Sequence, residues 1–456
     1  MRFLLVPLLV VAAGCNVASP PSQSSRAFEA ATPALQAMLS RRAFTNGKIS
    51  HVVIIIQENR TTDDLFHGLK GADTQSYGTN SAGTRVNLTP EPLTAPYDLS
   101  HTHDAYAMES DSGKMDGFSQ EHDSSCKVRT GCPAADLAAY GYVPRTEVEP
   151  YFDMARQYAF ADRMFETNEG PSFPAHQYLI SGTSTISQGS TLRAAENPIT
   201  ADQKFTGGCD SPKGSLALLI DQNGEELQET YPCYDRPTLM DLVTAKGLTW
   251  RYYEWRTGPG LWNAPDAILH LQEGSQFSTE VVGPPSKVLS DISSGNLPTV
   301  VWVTPTAKAS DHAFITNGSG PSWVASVVNA IGKSPYWDNT AIFVTWDDWG
   351  GWYDHAAPAV YNSYELGFRV PAVVISAYTP RGYVSHRQHE FGSILKFTEK
   401  AFDLGSLGTT DVRSDDFADC FNFKLSPRTF TPIAAPLGRE YFLKEPAGDE
   451  SPDDDN

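Results

Sequence analysis

Four short stretches of the chain are apolar almost without interruption: His51-Val-Val-Ile-Ile-Ile-Gln57, Thr299-Val-Val-Trp-Val-Thr304, Ala341-Ile-Phe-Val-Thr-Trp346 and Pro371-Ala-Val-Val-Ile-Ser376. Runs rich in β-branched residues and lacking polar alternation suit strands buried on both faces. Segments with helical spacing, such as Trp323 to Ile331 and Ile394 to Phe402, lie near them. Strands alternating with helices predict an α/β fold with a mostly parallel central sheet and helices on both faces. Between Thr61 and Cys233 the pattern gives way to Gly-, Ser-, Asp- and Asn-rich sequence, which predicts long loop insertions or a small cap.

The two ends read differently from the middle. Met1-Arg2 is followed by an apolar run over residues 3 to 12 and then Ala12-Ala13-Gly14-Cys15. That run is too short to span a bilayer, and small residues before a cysteine predict a signal peptide over 1–15 ending in a lipobox cysteine. Cys15 would carry the lipid, making the chain an exported periplasmic or cell-surface lipoprotein with membrane association through that anchor. An ordinary signal peptide cleaved near Ala13 is the alternative. Residues 16–48, rich in Ser, Ala and Pro, predict a tether with one short helix around Leu35 to Arg42. Residues 49–444 then form one large domain, and 445–456 an acidic tail.

Charge narrows the partners. The 456 residues carry 54 acidic against 34 basic side chains, a net charge of -20. Such a surface repels a phosphate backbone, so nucleic acid is not an expected partner. A small anionic substrate remains compatible, because a bound cation reverses the sign of one pocket. Outside the cytoplasm the close pairs Cys126/Cys132 and Cys209/Cys233 predict two local disulfides. Cys420, beside Phe417, Phe421 and Phe423, is then a buried, inert thiol.

Parallel α/β sheets bind ligands at the carboxyl ends of their strands, so the residues after each run carry the chemistry. Glu58-Asn59 follows the first, Asp311-His312 the second after a short loop, and Asp347-Asp348 the third. Each pair alone reads as a loop cap, whereas three at one sheet edge read as ligands. Carboxylate and amide oxygens suit a divalent metal ion; Ca²⁺, Mg²⁺, Mn²⁺, Zn²⁺ and iron all fit such a set. A cation of this kind serves phosphate-ester chemistry by neutralising the ester and activating a hydroxyl. Gly170-Pro-Ser-Phe-Pro174 offers Ser172, expected in a loop, as the nucleophile. His355 reads as a further ligand or a supporting hydrogen-bonding group, and His270 and His176 read as core histidines with satisfied ring nitrogens.

These residues carry a resemblance. Gln57-Glu-Asn-Arg-Thr-Thr-Asp63, Gly113-Lys-Met-Asp-Gly-Phe118, Ala161-Asp-Arg-Met-Phe165, Gly170-Pro-Ser-Phe-Pro-Ala-His176, Thr345-Trp-Asp-Asp-Trp-Gly-Gly-Trp-Tyr-Asp-His355 and Phe368-Arg-Val-Pro-Ala-Val-Val-Ile-Ser376 run through nearly the whole mature chain. The sequence resembles the bacterial phosphoesterase family of phospholipases C and an acid phosphatase, within the alkaline phosphatase superfamily. The resemblance implies that Glu58, Asn59, Asp347 and Asp348 bind the metal and that Ser172 both touches it and attacks phosphorus through a phosphoserine intermediate. It implies that His312 contacts the phosphoryl group and that a second histidine, His101 or His103, joins it, with His101 favoured. Thr62 stands where the family usually has Phe. The pair Asp347-Asp348 stands where phospholipase-like members often have Asp-Glu, which resembles the acid phosphatase side. The expected substrate is therefore a small phosphate ester or a phospholipid head group.

Two other readings have different signatures. A serine esterase would carry a Gly-x-Ser-x-Gly elbow, which the chain lacks. A surface lipoprotein that binds a ligand without turnover would have no use for a nucleophile beside the ligand set.

Overall fold

The computed structural model describes residues 44–120 and 132–445. The leader, the Cys15 anchor, the helix expected at Leu35 to Arg42, Cys126 and the acidic tail beyond Glu445 lie outside the described residues. Among the described residues no helix is long and apolar enough to cross a membrane. The folded part begins before residue 49, because Phe44 packs edge-on against Phe397 at 5.5 Å between ring centroids.

The central sheet has eight strands, labelled in chain order: β1 His51–Gln57, β2 Ala159–Ala161, β3 Trp250–Tyr253, β4 Val281–Val282, β5 Val300–Val303, β6 Thr340–Trp346, β7 Ala372–Ser376 and β8 Tyr383–Ser385. Their spatial order is β4-β3-β5-β1-β6-β7-β2-β8. β1 lies inside the sheet with Val52 to Ile56 buried on both faces, which is why its sequence does not alternate. Neighbouring strands are parallel except around β7, which opposes both β6 and β2. The alternation of runs suggests one more parallel strand at Pro371 to Ser376. No described helix lies between Trp346 and Ala372, however, and without a crossover element the returning strand pairs antiparallel.

The helices that matter for the site are α1 His103–Ser110, α2 Glu149–Gln157, α3 Ser172–Ser181, α4 Leu239–Ala245, α5 Lys287–Ser294, α6 Gly320–Gly332 and α7 Phe391–Phe402. α2, α5 and α6 pack as one set, and α3, α4 and α7 as another, as a sheet covered on both faces requires. The stretch between Thr61 and Cys233 is more than loops: it supplies β2 and three of these helices. Two satellite cores join this stretch to later parts of the chain: Leu99, Tyr106 and Phe118 pack with Trp349, Trp352 and Phe368, and Phe173 and Leu219 pack with Leu261 and Trp262. Cys209 and Cys233 form a disulfide, and Cys132 is disulfide-bonded. Cys420 is a buried free thiol, its pKa held well above the usual value by burial.

Candidate active site at the carboxyl edge of the sheet

Strand register brings the first and third of the polar pairs, Glu58-Asn59 and Asp347-Asp348, together. Gln57 is paired with Trp346 across the β1–β6 ladder, so the residues that follow each leave the sheet at the same height. Backbone bonds hold them there: Asp347 N donates to Gln57 O at 3.0 Å and Arg60 N to Asp348 O at 3.0 Å. Asn59 N also donates to Asp347 Oδ1 at 3.2 Å. Asn59 sits at φ 59°, a left-handed conformation that asparagine tolerates better than most residues. Gly350, at φ +61°, donates its N–H to Asp348 Oδ1 at 2.8 Å. A Cβ there would lie 2.6 Å from Asn59 O, so this position needs glycine for both its backbone angle and its space.

Ser172 enters from the other side. It is the first residue of α3, with Pro171 as N-cap, and not a loop residue as the sequence suggests. Two prolines flanking the serine fit a first helical turn, where a missing N–H costs no helical bond. The Ser172 hydroxyl donates to Asp348 Oδ2 at 3.1 Å. An anion reaching this hydroxyl also meets the positive end of a ten-residue helix.

His176, one helical turn beyond Ser172, is a buried histidine with a partner at each ring nitrogen, as the sequence suggests, and one of those partners is Glu58. Its Nδ1 lies 3.2 Å from the Tyr252 hydroxyl, whose own proton goes to Trp262 O at 2.6 Å. The imidazole proton is therefore on Nδ1, and burial pulls the ring's pKa down to about 4. The lone pair of Nε2 then faces Glu58 Oε1 at 3.2 Å and Asp347 Oδ2 at 3.7 Å. Three ligand atoms of Glu58, His176 and Asp347 lie within 4.8 Å of one another, all side chains fully buried. Electron pairs converging without a proton between them fit a cation. Asn59 Oδ1 and Asp347 Oδ2, both buried, accept no hydrogen bond, as expected of oxygens reserved for a metal. Nitrogen and oxygen ligands together favour a borderline or transition ion over a purely hard one.

His101 and His312 lie on the other side of Asn59. His101 donates from Nδ1 to Leu99 O at 2.8 Å and takes the Asn59 amide on Nε2 at 3.1 Å, an arrangement that leaves Asn59 Oδ1 pointing its lone pairs elsewhere. His312 donates from Nδ1 to Ala313 O at 2.7 Å, and its ring stands 5.8 Å from that of His101. His103 instead donates to Glu169 O at 2.6 Å and packs on Tyr364. Asp311 accepts from Tyr151 and Trp346 at 2.7 and 3.0 Å; it braces the sheet edge. Glu166, missed in the sequence, is fully buried beneath the site, its pKa raised well above the carboxylate range by burial and then by Asp348. A cavity of about 100 Å³ lined by His101, Pro171, Glu196 and Asn197 opens at the N-cap of α3, next in sequence to the buried Ser172.

His355 and His270 lie outside this cluster. His355 contacts Asp63 Oδ2 at 2.6 Å and Asp73 Oδ1 at 3.2 Å. Asp63, Asp354 and His355 have the spacing of a metal group, but Arg369 already binds both Asp354 oxygens at 2.8 and 3.0 Å, so a guanidinium takes the cation's part. His270 is no core residue: its side chain is 38% exposed and pairs with Asp235 and Asp241.

The fold and the site define an α/β protein with a buried group of nitrogen and oxygen atoms that could hold a cation, beside a serine at a helix start. The chain belongs to the Phosphoesterase family, whose model matches residues 49–405. It is 25% identical to a non-hemolytic phospholipase C of Pseudomonas aeruginosa over 90% of this chain and 62% of that protein. A non-hemolytic phospholipase C of Burkholderia pseudomallei is 23% identical over 86% of this chain and 61% of its own length, so the chain spans about three fifths of these relatives. Non-specific phospholipase C6 of Arabidopsis thaliana is 22% identical, over 88% of this chain and 77% of that one. Among solved structures, a Vibrio parahaemolyticus protein in the alkaline phosphatase superfamily has 11% identity and a TM-score of 0.35, covering 84% of this chain and 80% of its own.

Proposed function

We propose that the chain hydrolyses phosphate esters with Ser172 as nucleophile and a divalent cation held by Glu58, Asn59, Asp347, Asp348 and His176. The observation that supports it is the convergence of the His176, Glu58 and Asp347 lone pairs beside a serine at the start of α3. When bound, the cation neutralises ester oxygens and eases deprotonation of the serine hydroxyl. Asp348 accepts the hydroxyl proton along the 3.1 Å hydrogen bond while Ser172 Oγ attacks phosphorus in line. An Oγ–P bond forms, the ester P–O bond breaks, and the leaving alkoxide takes a proton from water, giving a phosphoserine that a water molecule then hydrolyses. The N-terminus of α3 stabilises charge on the equatorial oxygens, with His312 at their side and His101 holding the Asn59 amide.

The cavity at the N-cap of α3, about 100 Å³, is well below the ~300 Å³ of a pocket enclosing a drug-sized ligand. It therefore encloses the phosphoryl end of an ester and leaves the rest outside, which accommodates both a monoester and a lipid head group. The relatives' names favour the latter. Hydrolysis of p-nitrophenyl phosphate and p-nitrophenylphosphorylcholine, with and without chelator, for wild type and Ser172→Ala, tests the reading. Chelator-sensitive turnover that the variant loses is expected; turnover retained by Ser172→Ala overturns it.

Export and a lipid on Cys15 belong to the same reading. The Cys209–Cys233 disulfide supports an oxidising compartment. Palmitate labelling of the expressed chain that Cys15→Ser abolishes is the expected result; equal labelling of both chains overturns the anchor.

A further inference from the structure

The far end of α3 borders a second cavity, of about 440 Å³, lined in part by Gln188, Arg193, Arg236, Glu365, Thr409 and Arg413. Ten residues of helix separate it from Ser172, a distance of about 15 Å. The volume is in the range of small-molecule sites, and three guanidiniums in one recess are unexpected on a chain of net charge -20.

The charges do not cancel. Arg413 pairs with Glu390 at 2.8 Å and with Glu365 at 2.6 Å. Arg193 shares Glu365, at 3.5 Å, and Tyr178 donates to the same carboxylate at 2.7 Å. Arg236 has no such partner. It is 3% exposed, and its two acceptors are neutral: Thr185 O at 2.7 Å and Gln177 Oε1 at 2.6 Å. Its Nε hydrogen meets no acceptor. Burial pulls its pKa down only to about 10, so it stays charged at neutral pH. A buried guanidinium without a carboxylate is costly, and its planar fork matches an oxyanion.

We propose that this cavity is a second anion site, in which Arg236, flanked by Arg193 and Arg413, takes the phosphate of a small soluble phosphorylated molecule. The Thr183 hydroxyl, which also lines the cavity and accepts from Thr185 N at 3.2 Å, keeps its own proton as a neutral donor. The site is separate from the Ser172 centre and does not depend on that centre being catalytic.

The test is calorimetric titration of inorganic phosphate and of glycerol 1-phosphate into the full chain and into Gln188→Glu. Gln188 is exposed at the rim, so the substitution adds a competing carboxylate without touching the core. Arg236→Lys serves as the second variant, keeping charge but losing the fork. The expected result is a binding event weakened by about tenfold or more in Gln188→Glu and reduced in Arg236→Lys, with p-nitrophenyl phosphate turnover unchanged in Gln188→Glu. Superimposable isotherms for wild type and Gln188→Glu overturn the proposal. So does co-sedimentation with phosphatidylglycerol vesicles that Gln188→Glu abolishes while neither soluble probe binds. Because the readout is binding, it survives or fails independently of whether any ester is turned over.

Discussion

The Ser172 hydroxyl and the Asp348 carboxylate share a 3.1 Å hydrogen bond that ties the first turn of α3 to the loop leaving β6. Asp348→Asn keeps the shape and removes the proton acceptor. Turnover of p-nitrophenyl phosphate is expected to fall by about 10²- to 10⁴-fold with the melting temperature nearly unchanged. Wild-type turnover in this variant would exclude Asp348 as the base.

His176 is expected to hold the cation along with Glu58 and Asp347. His176→Ala should lower metal affinity at least as much as the about 10- to 100-fold seen on losing a supporting group, measured by metal content after dialysis. His270→Ala, on the exposed Asp235/Asp241 pair, is the control and should retain metal fully. Equal metal content in both variants counts against the ligand assignment.

Gly350→Ala forces a side chain to within 2.6 Å of Asn59 O at a positive φ. The loop must move, taking the Asp348 hydrogen bond with it. Activity should drop far more than the about 1–3 kcal/mol of strain lowers stability, a contrast read from paired kinetic and denaturation measurements.

Arg369 is fully buried among Asp354, Asp73 O and Asp162 O. Arg369→Met leaves Asp354 buried without the guanidinium that binds both its oxygens, at a cost of about 3–5 kcal/mol. Urea unfolding checks this; a loss below 1 kcal/mol on the ~1 kcal/mol scale of exposed pairs would mean the network is solvated.

Glu196 supplies a pH signature. Burial, and then Glu226, push its carboxyl from the ordinary 4.5 up to about 8. Folding therefore takes up a proton between those values: the contribution is complete below 4.5 and is lost as pH rises through about 8. The slope is bounded by the ~1.4 kcal/mol per pH unit that the uptake of one proton carries. Melting temperature should decline from pH 5 to 8 in wild type and decline less in Glu196→Gln; parallel curves would remove Glu196 from the account.

The parts of the fold written in long apolar runs were legible: β1, β5, β6 and β7 each follow from unbroken β-branched sequence. β2 was not, because Ala159-Phe-Ala161 is too short to show a period, and its partners β7 and β8 come from more than two hundred residues later. Glu58, Asn59, Asp347 and Asp348 stood out in the sequence because they directly follow strands. His176 was hidden by its apolar neighbours, although its spacing of four from Ser172 puts both on one helix face. Arg236 and Glu166 carried no local signal at all; what distinguishes them is the absence of a countercharge, which only the folded chain reveals.

The pairing of Gln57 with Trp346 has one more consequence. Side chains along a strand alternate sides, so a slip of a single residue between β1 and β6 would turn Glu58 away from Asp347 and leave every apolar side chain of the two strands equally buried. Hydrophobicity alone barely distinguishes the two alignments, since both faces are covered. The polar residues just past the strand ends distinguish them, and a cation bridging those residues would reward one alignment only. Metal added during refolding would then act as a proofreader of the sheet, and specific activity would count the molecules that had aligned correctly.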